Sequence, residues 1–534
     1  MSSLRSAKAC VTAAALGTFF IANAAFRLDG CGTEQLFKYW RSFDDFAIAA
    51  GYAARGTFPV APYRVRDHVR RERDPRFRAF KESLLAGIDE NDLRPVRFWK
   101  TFPPEAVAPD GRWLVASRFD DTGRALFLGL AFRTLGGAAP FLLFWLGALA
   151  ALPVVVWIAA EFARAGQTLT GVVFLAAAGC SAFVLDLLSL GYSAGAFHLV
   201  ELLVLVALAT YAVLGRPSWR GLLARSAVSG GAFAICALCR GTVPFLLPGF
   251  ALALLVAASR VALGAPSRFR MGLRRFALWA AAMALLVIPY LGLLTWSDHL
   301  VATARDAYGR ELQPQYHDPA LLLWKGLGDF DRTKGYAFAD KAGEDAIAGL
   351  DPDKRAHRDS EVRLRETIWS DARSDPLWLA GILAKRFLAT VSLYKLWPWA
   401  PRDGISFYPA ASPNEGVIDN YYTLTKQADW LALGPWSMEV PVALLLLPMV
   451  ALLAAACVPA TWKRLGGVGA NARRSLLLLA CLALAILPVP VVITTATALE
   501  AECFVLVHFL ALALLVQSAR AGVERQPSAA PHPL

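Results

Sequence analysis

Acidic residues are nearly missing from the short polar turns of this 534-residue sequence. The stretch 215–226 carries Arg216, Arg220 and Arg225 with no Asp or Glu, and 260–275 carries Arg260, Arg268, Arg270, Arg274 and Arg275, again with none. Charged residues of both signs amount to only 18%, against 56% hydrophobic ones. That balance excludes a water-soluble domain, whose surface needs far more charge and whose core needs far less apolar chain. Cysteine is sparse as well. The eight cysteines show no metal-ligand spacing, and Cys236 and Cys239 form a C-x-x-C inside an apolar run, where core packing is the reading. Heptads and internal repeats are absent, and low complexity is confined to a short Pro/Ala tail, which excludes coiled coils and solenoids.

What the chain has instead is apolar runs of roughly 20 residues, the length needed to cross a hydrocarbon core. They fall at 8–26, 137–161, 169–190, 193–214, 223–239, 242–259, 275–296, 436–459, 474–494 and 498–518. The basic turns, with Lys463, Arg464, Arg473, Arg474, Arg520 and Arg525, all fall on one side if the ten spans begin and end in the cytoplasm. Acids on that side are Glu161 and Glu524. The net charge of +12 therefore reports topology and anionic lipid, and nucleic acid is not an expected partner. The first span, with "SLRSAK" before it and "ANA" at its end, also has the form of a cleavable signal peptide, and the loop after it is outside in either case.

The polar sequence is gathered into two long extracytoplasmic segments, 27–123 and 297–435. They read as amphipathic helices lying on the membrane, such as "PLWLAGILAKRFLATVSLYKLWPW", whose Tyr394, Lys395, Trp397 and Trp399 suit the headgroup layer. Ionisable residues at the edges of the spans are costly and so informative. Asp186, His198, Glu201, Arg240, Glu500 and Glu502 share one depth on the side of both loops, and His508 lies deeper. Each alone has an ordinary reading as an interfacial residue or an ion-pair member. Together they point to a polar site that faces away from the cytoplasm.

Asp44 and Asp45 open the helix-like stretch "RSFDDFAIAAGYAARG" just beyond the first span. The ordinary reading is a first turn stabilised by the helix dipole. An acidic pair after an N-terminal span also resembles the first loop of the GT-C glycosyltransferases, the polyprenyl-phosphate-sugar-dependent membrane enzymes that include protein O-mannosyltransferases and the lipid A aminoarabinose transferase. Further along, "DDTGRALFLGLAFRTLGG" (120–137) resembles that family's entry to the second span, with Thr122-Gly123 where Pro-Gly is usual. "GGAFAICALCRGTVPFLLP", "RSDPLWLAGILAKRF" (373–387) and "EAECFVLVHFLALALLV" resemble later family segments, the last with Cys503 where Arg is usual.

The resemblance implies one all-α polytopic domain over residues 1–534, in a bacterial inner membrane, transferring a hexose or pentose from a polyprenyl-phosphate carrier to an extracytoplasmic glycan, lipid or protein. It implies Asp44 as general base with inversion, and Asp45 as an orienting, capping or metal-binding neighbour. A divalent cation is compatible with the pair but not required by the sequence. Arg240 is the candidate for the lipid phosphate, and His198, Glu201 and Glu502 are candidates for the substrate-facing wall. Lys385 and Arg386 are further phosphate candidates, with snorkelling bases as their ordinary reading. The basic run 64–78 is a second possible anion contact, and Trp324, Gly326, Gly328 and Asp329 are candidates for the acceptor side. A surface-polysaccharide polymerase or ligase, and a lipid-linked-sugar flippase, are the competing readings. A flippase requires polar groups along a path between both faces, whereas these cluster on one side.

Overall fold

The computed structural model describes residues 2–29, 123, 126–127, 129–130, 134, 140–189, 193–262, 267–308, 319–328, 334–336, 358–392, 428–433, 436–457, 468–493 and 503–523. They are mostly helical. In chain order they form α1 (Ser2–Asp29), α2 (Pro140–Arg164), α3 (Thr168–Cys180), α4 (Ala182–Ser189), α5 (Ser193–Val213), α6 (Trp219–Cys239), a 3₁₀ turn (Val243–Leu246), α7 (Leu247–Arg260) and α8 (Arg268–Tyr308). There follow α9 (Pro319–Leu327), α10 (Arg358–Ser374), α11 (Pro376–Ser392), strands β1 (Ala428–Leu433) and β2 (Trp436–Pro441), α12 (Val442–Cys457), α13 (Val468–Ile486), a π turn (Pro488–Ile493) and α14 (Val505–Val523). Among the described residues six helical segments are long and apolar enough to cross a membrane, and four shorter apolar helices accompany them. The chain is an integral membrane protein.

The bundle is organised around α5. Apart from His198 and Glu201 this helix is apolar nearly all round, a pattern that fits an enclosed helix or a membrane span, and its burial decides for enclosure. Every residue from Ala196 to Val213 is buried, with α2, α4, α6, α7 and α13 packed around it. Lipid is as apolar as leucine, so helices in a membrane associate through close packing at small residues. Gly230 of α6 lies against the backbone of Leu285 in α8, Gly249 of α7 against the Cys481 carbonyl of α13, and Gly147 of α2 against the Leu188 carbonyl of α4.

The arginine-rich end is pinned by specific contacts. Buried Glu161 at the end of α2 accepts hydrogen bonds from Trp157 Nε1, from Arg164, and from Arg225 of α6 through both Nε and a terminal nitrogen. Arg225 also lies 3.9 Å over the Tyr211 ring of α5. Arg260, the last residue of α7, donates to the Ala212, Val213 and Gly215 carbonyls that end α5. Those carbonyls have no helical donors, and a cation placed on them also complements the helix dipole.

Two expectations are corrected at the other end. The expected span 169–190 is broken: Ser181 is extended (ψ 120°) between α3 and α4 and forms a β-bridge with Leu431. Asn23 of α1 donates to the Gly179 carbonyl just before the break, at 2.8 Å, taking up an acceptor that the interrupted ladder frees. The expected span 436–459 begins as a strand. An antiparallel hairpin pairs Ala428–Leu433 with Trp436–Pro441, and the helix starts only at Val442. The all-helical expectation differs here because "WSMEV" (436–440) alternates with period two, whereas its place at the head of a long apolar run reads as the start of a span. Non-helical backbone persists at membrane depth only where protein or a watered site satisfies it, and here the hairpin packs on α3 and α4.

Adjacent glycines in α6 test the packing. A Cβ at Gly230 would collide with the Leu285 carbonyl oxygen, while at Gly231 it would meet nothing within 4 Å. Gly230→Ala should lower the melting temperature of the detergent-purified protein, by overpacking worth roughly 1–3 kcal/mol. Gly231→Ala should leave it unchanged or raise it, since alanine gains up to about 1 kcal/mol of helix propensity.

Candidate functional site

His198 and Glu201 sit three residues apart on one face of α5, roughly 8 and 12 Å along the axis from its start. Both are buried. The element that reaches them is the turn after α6. Arg240 is extended (φ −150°, ψ 112°) and ends that helix, and Pro244, which cannot donate a backbone hydrogen bond, opens the 3₁₀ turn. Thr242 lies between them, its Oγ1 accepting from Arg240 Nε at 3.2 Å and standing 3.1 Å from His198 Nδ1. A guanidinium only donates, so the threonine proton remains available to His198 Nδ1 when that nitrogen is deprotonated. The Cys236 thiol lies beside the Glu201 carboxyl. The result is a connected polar chain, Arg240–Thr242–His198, with a buried carboxyl one turn deeper. Charges so placed are expensive in a membrane and are retained at functional sites.

Two other parts of the chain converge here. The 3₁₀ turn touches the π turn Pro488–Ile493, onto which α9 and α11 dock. Arg386 of α11 is fully buried and its Nε donates to the Pro490 carbonyl at 3.0 Å. Burial of Arg386 does not fit the snorkelling base that is its ordinary reading, and neighbouring Lys385 is exposed. Gly123 packs so closely on the end of α6 that a Cβ there would come within 2.8 Å of Leu238 backbone. The end of the first long segment is thereby held beside Arg240.

Helices α9–α11 have a small core of their own. Trp324, Leu327, Tyr336, Leu364, Ile368 and Ile382 are buried together. The Tyr336 ring lies between Trp324 and Trp378, with centroids at 4.4 and 5.4 Å, and Lys334 covers Trp378 at 4.6 Å. Trp324, a candidate for the acceptor side, is thus a core residue. The Tyr336 hydroxyl donates to Asp371 at 2.8 Å. Burial first, and then this bond and the Asp371 charge, push the phenol above its ordinary range.

Of the sequence candidates, the structure joins His198 and Arg240 through Thr242 and places Glu201 one turn deeper on the same helix. Asp44, Asp45 and Glu502 lie outside the described residues, as does the side chain of Asp186 on α4. His508 is buried against Phe504 on α14, a helix packed on α3, α12 and α13. Among the described residues no three His, Cys, Asp or Glu side chains are grouped to hold a metal. Thr242 was missed, since a threonine in a hairpin turn carries no signal by residue type. Comparison with known proteins found no match among family profiles, curated proteins or solved structures.

Arg386→Met should loosen α11, raising hydrogen–deuterium exchange in peptides covering 376–392, while Lys385→Met should not. Equal protection in both variants would remove the anchoring role. Tyr336 sets an alkaline limit. Below about pH 10 the phenol is neutral folded or unfolded; above it the unfolded state ionises first, because the folded value is raised, and stability falls. Tyr336→Phe should flatten that fall above pH 10 at a neutral-pH cost of about 1 kcal/mol, read by urea titration at several pH values.

Proposed function

We propose that the chain is a GT-C-type glycosyltransferase with ten spans and cytoplasmic termini, moving a sugar from a polyprenyl-phosphate carrier to an extracytoplasmic acceptor. The observation that carries this reading is the Arg240–Thr242–His198 chain with Glu201 beneath it, at the bundle end where α9–α11 dock. A departing lipid phosphate needs a fixed cation in a water-poor site, and a guanidinium offers a bidentate fork. Thr242 and His198 hold Arg240 at the head of α7, where a donor phosphate travelling in the membrane plane meets the protein. Arg386, tied to the adjoining π turn, fixes the segment that covers this end.

In the proposed reaction Asp44 takes the proton of the acceptor hydroxyl as its oxygen attacks the anomeric carbon. The bond to the phosphate oxygen breaks, the electron pair leaves with the lipid phosphate, and configuration inverts. Asp45, the next residue in sequence, orients the acceptor, binds a metal or caps. Support for the outward-facing site comes from the arginine-rich turns gathered at the opposite end of the bundle.

The test is sugar transfer from a native lipid donor by purified variants, with thermal stability recorded alongside. Asp44→Asn should keep fold and donor binding and lower turnover by roughly 10²-fold or more. Arg240→Lys should weaken donor binding, because a point charge does not replace the fork. Full activity in Asp44→Asn would refute the base assignment.

A further inference from the structure

Helix α8 carries a proline, a glycine and a threonine at three-residue spacing, Pro289, Gly292 and Thr295. Each weakens the backbone ladder in its own way. Pro289 has no N–H to give the Leu285 carbonyl four residues back, and its ring pushes that carbonyl outward from the helix. Gly292 lowers helix propensity more than any residue but proline. The Thr295 hydroxyl donates to the Leu291 carbonyl at 2.8 Å, a back-bond that bends helices. Three such positions within about two turns make one weak stretch in a helix of 41 residues.

The halves on either side of it are held differently. Trp279 Nε1 donates to the Ala251 carbonyl of α7 at 3.2 Å and fixes the inner half. At the weak stretch the displaced Leu285 carbonyl meets α6 at Gly230, which leaves the room that a Cβ would fill. Just beyond, Phe233 of α6 meets Tyr290 edge-on at 5.7 Å. Residue numbers rise together from the first contact to the second, so α6 and α8 run parallel. Helix α6 ends six residues past Phe233, at Cys239 beside Arg240, whereas α8 continues eighteen past Tyr290, to Tyr308. The outer half of α8 therefore passes the level of Arg240 and overhangs it by about 18 Å. Ser297 is buried on the side of α8 that also carries buried Ala282 and Leu286, so the outer half lies closed against the bundle. Ile288, Leu291 and Trp296 are exposed, and movement toward them displaces lipid.

We propose that α8 is hinged over residues 289–295 and that its outer half is a gate at the Arg240 turn. Packed, as in this structure, it closes that side of the bundle; swung out, it opens the turn to the membrane plane. Gly230 seats the hinge, because a displaced carbonyl needs a neighbour without a side chain. The inference does not rest on the glycosyltransferase reading, since any ligand reaching the Arg240 turn from the membrane passes the same gate.

The experiment uses the full chain in lipid nanodiscs, with spin labels carried on unnatural amino acids so that the native cysteines stay unlabelled. Distance distributions are measured from position 227 on α6 to position 304 in the outer half, and to position 277 in the inner half as reference. The outer pair should give a broad or two-peaked distribution and the inner pair a single narrow one. At Gly292 an added Cβ meets nothing within 4 Å, as at Gly272 in the inner half, so neither substitution to alanine disturbs packing. Gly292→Ala should cut the swung-out population roughly fivefold, the effect of alanine's helix propensity over that of glycine, and Gly272→Ala should leave it unchanged. Pro289→Ala, which restores the donor for Leu285, should also narrow the outer distribution. Modification of Arg240 by phenylglyoxal, read by peptide mass spectrometry, should slow in step with that population. A single narrow outer distribution in the wild type, equal effects of Gly292→Ala and Gly272→Ala, or an Arg240 rate indifferent to the hinge variants would overturn the proposal.

Discussion

The enclosure of α5 is the constraint on which the rest of the structure depends. A helix of 21 residues with no side facing lipid must be contacted all round by other helices. It also gives any polar group it carries no route to water except along its own ends. His198 and Glu201 lie near one end, and at the other Tyr211 and the closing carbonyls are met by Arg225 and Arg260. The same helix therefore has one end capped by arginines and one end carrying a buried histidine and carboxyl, and the surrounding glycines set how closely its neighbours can approach each other.

The two ends use charge in opposite ways. At the arginine-rich end buried Glu161 gathers two arginines and a tryptophan, Arg260 caps the closing carbonyls of α5, and Arg216, Arg220, Arg268, Arg270 and Arg274 are exposed. At the other end a lone hydroxyl links one arginine to a histidine, and the surrounding backbone is irregular. There α3 breaks at Ser181, α7 opens as a 3₁₀ turn and α13 ends in a π turn. Irregular backbone in a membrane needs protein or water around it, and its concentration at one end marks where the bundle is built for something other than spanning.

Hydropathy made six of the expected spans legible as long apolar helical segments among the described residues, because the length of an apolar run is a local property. The shared end for His198, Glu201 and Arg240 was legible too, since counting spans and basic turns sets relative depth. What was not legible depends on tertiary partners. Ser181 breaks a run with no proline in it because Asn23 and Leu431, distant in sequence, supply the hydrogen bonds that replace the ladder. Arg386 reads as a surface base by composition, and only the docking of α11 on the π turn buries it. Trp324 reads as a ligand contact, and the rings of Tyr336 and Trp378 make it core.

The central claim is that the Arg240 end of the bundle receives a polyprenyl phosphate. Cryo-electron microscopy of the purified protein with polyprenyl monophosphate added tests it most directly. The expected result is density for the phosphate within hydrogen-bond reach of Arg240, its lipid tail running beside α7 toward the membrane. A phosphate seated only at the arginine-rich end, with the Arg240–Thr242 hydrogen bond kept and no phosphate density near Arg240, would contradict the account.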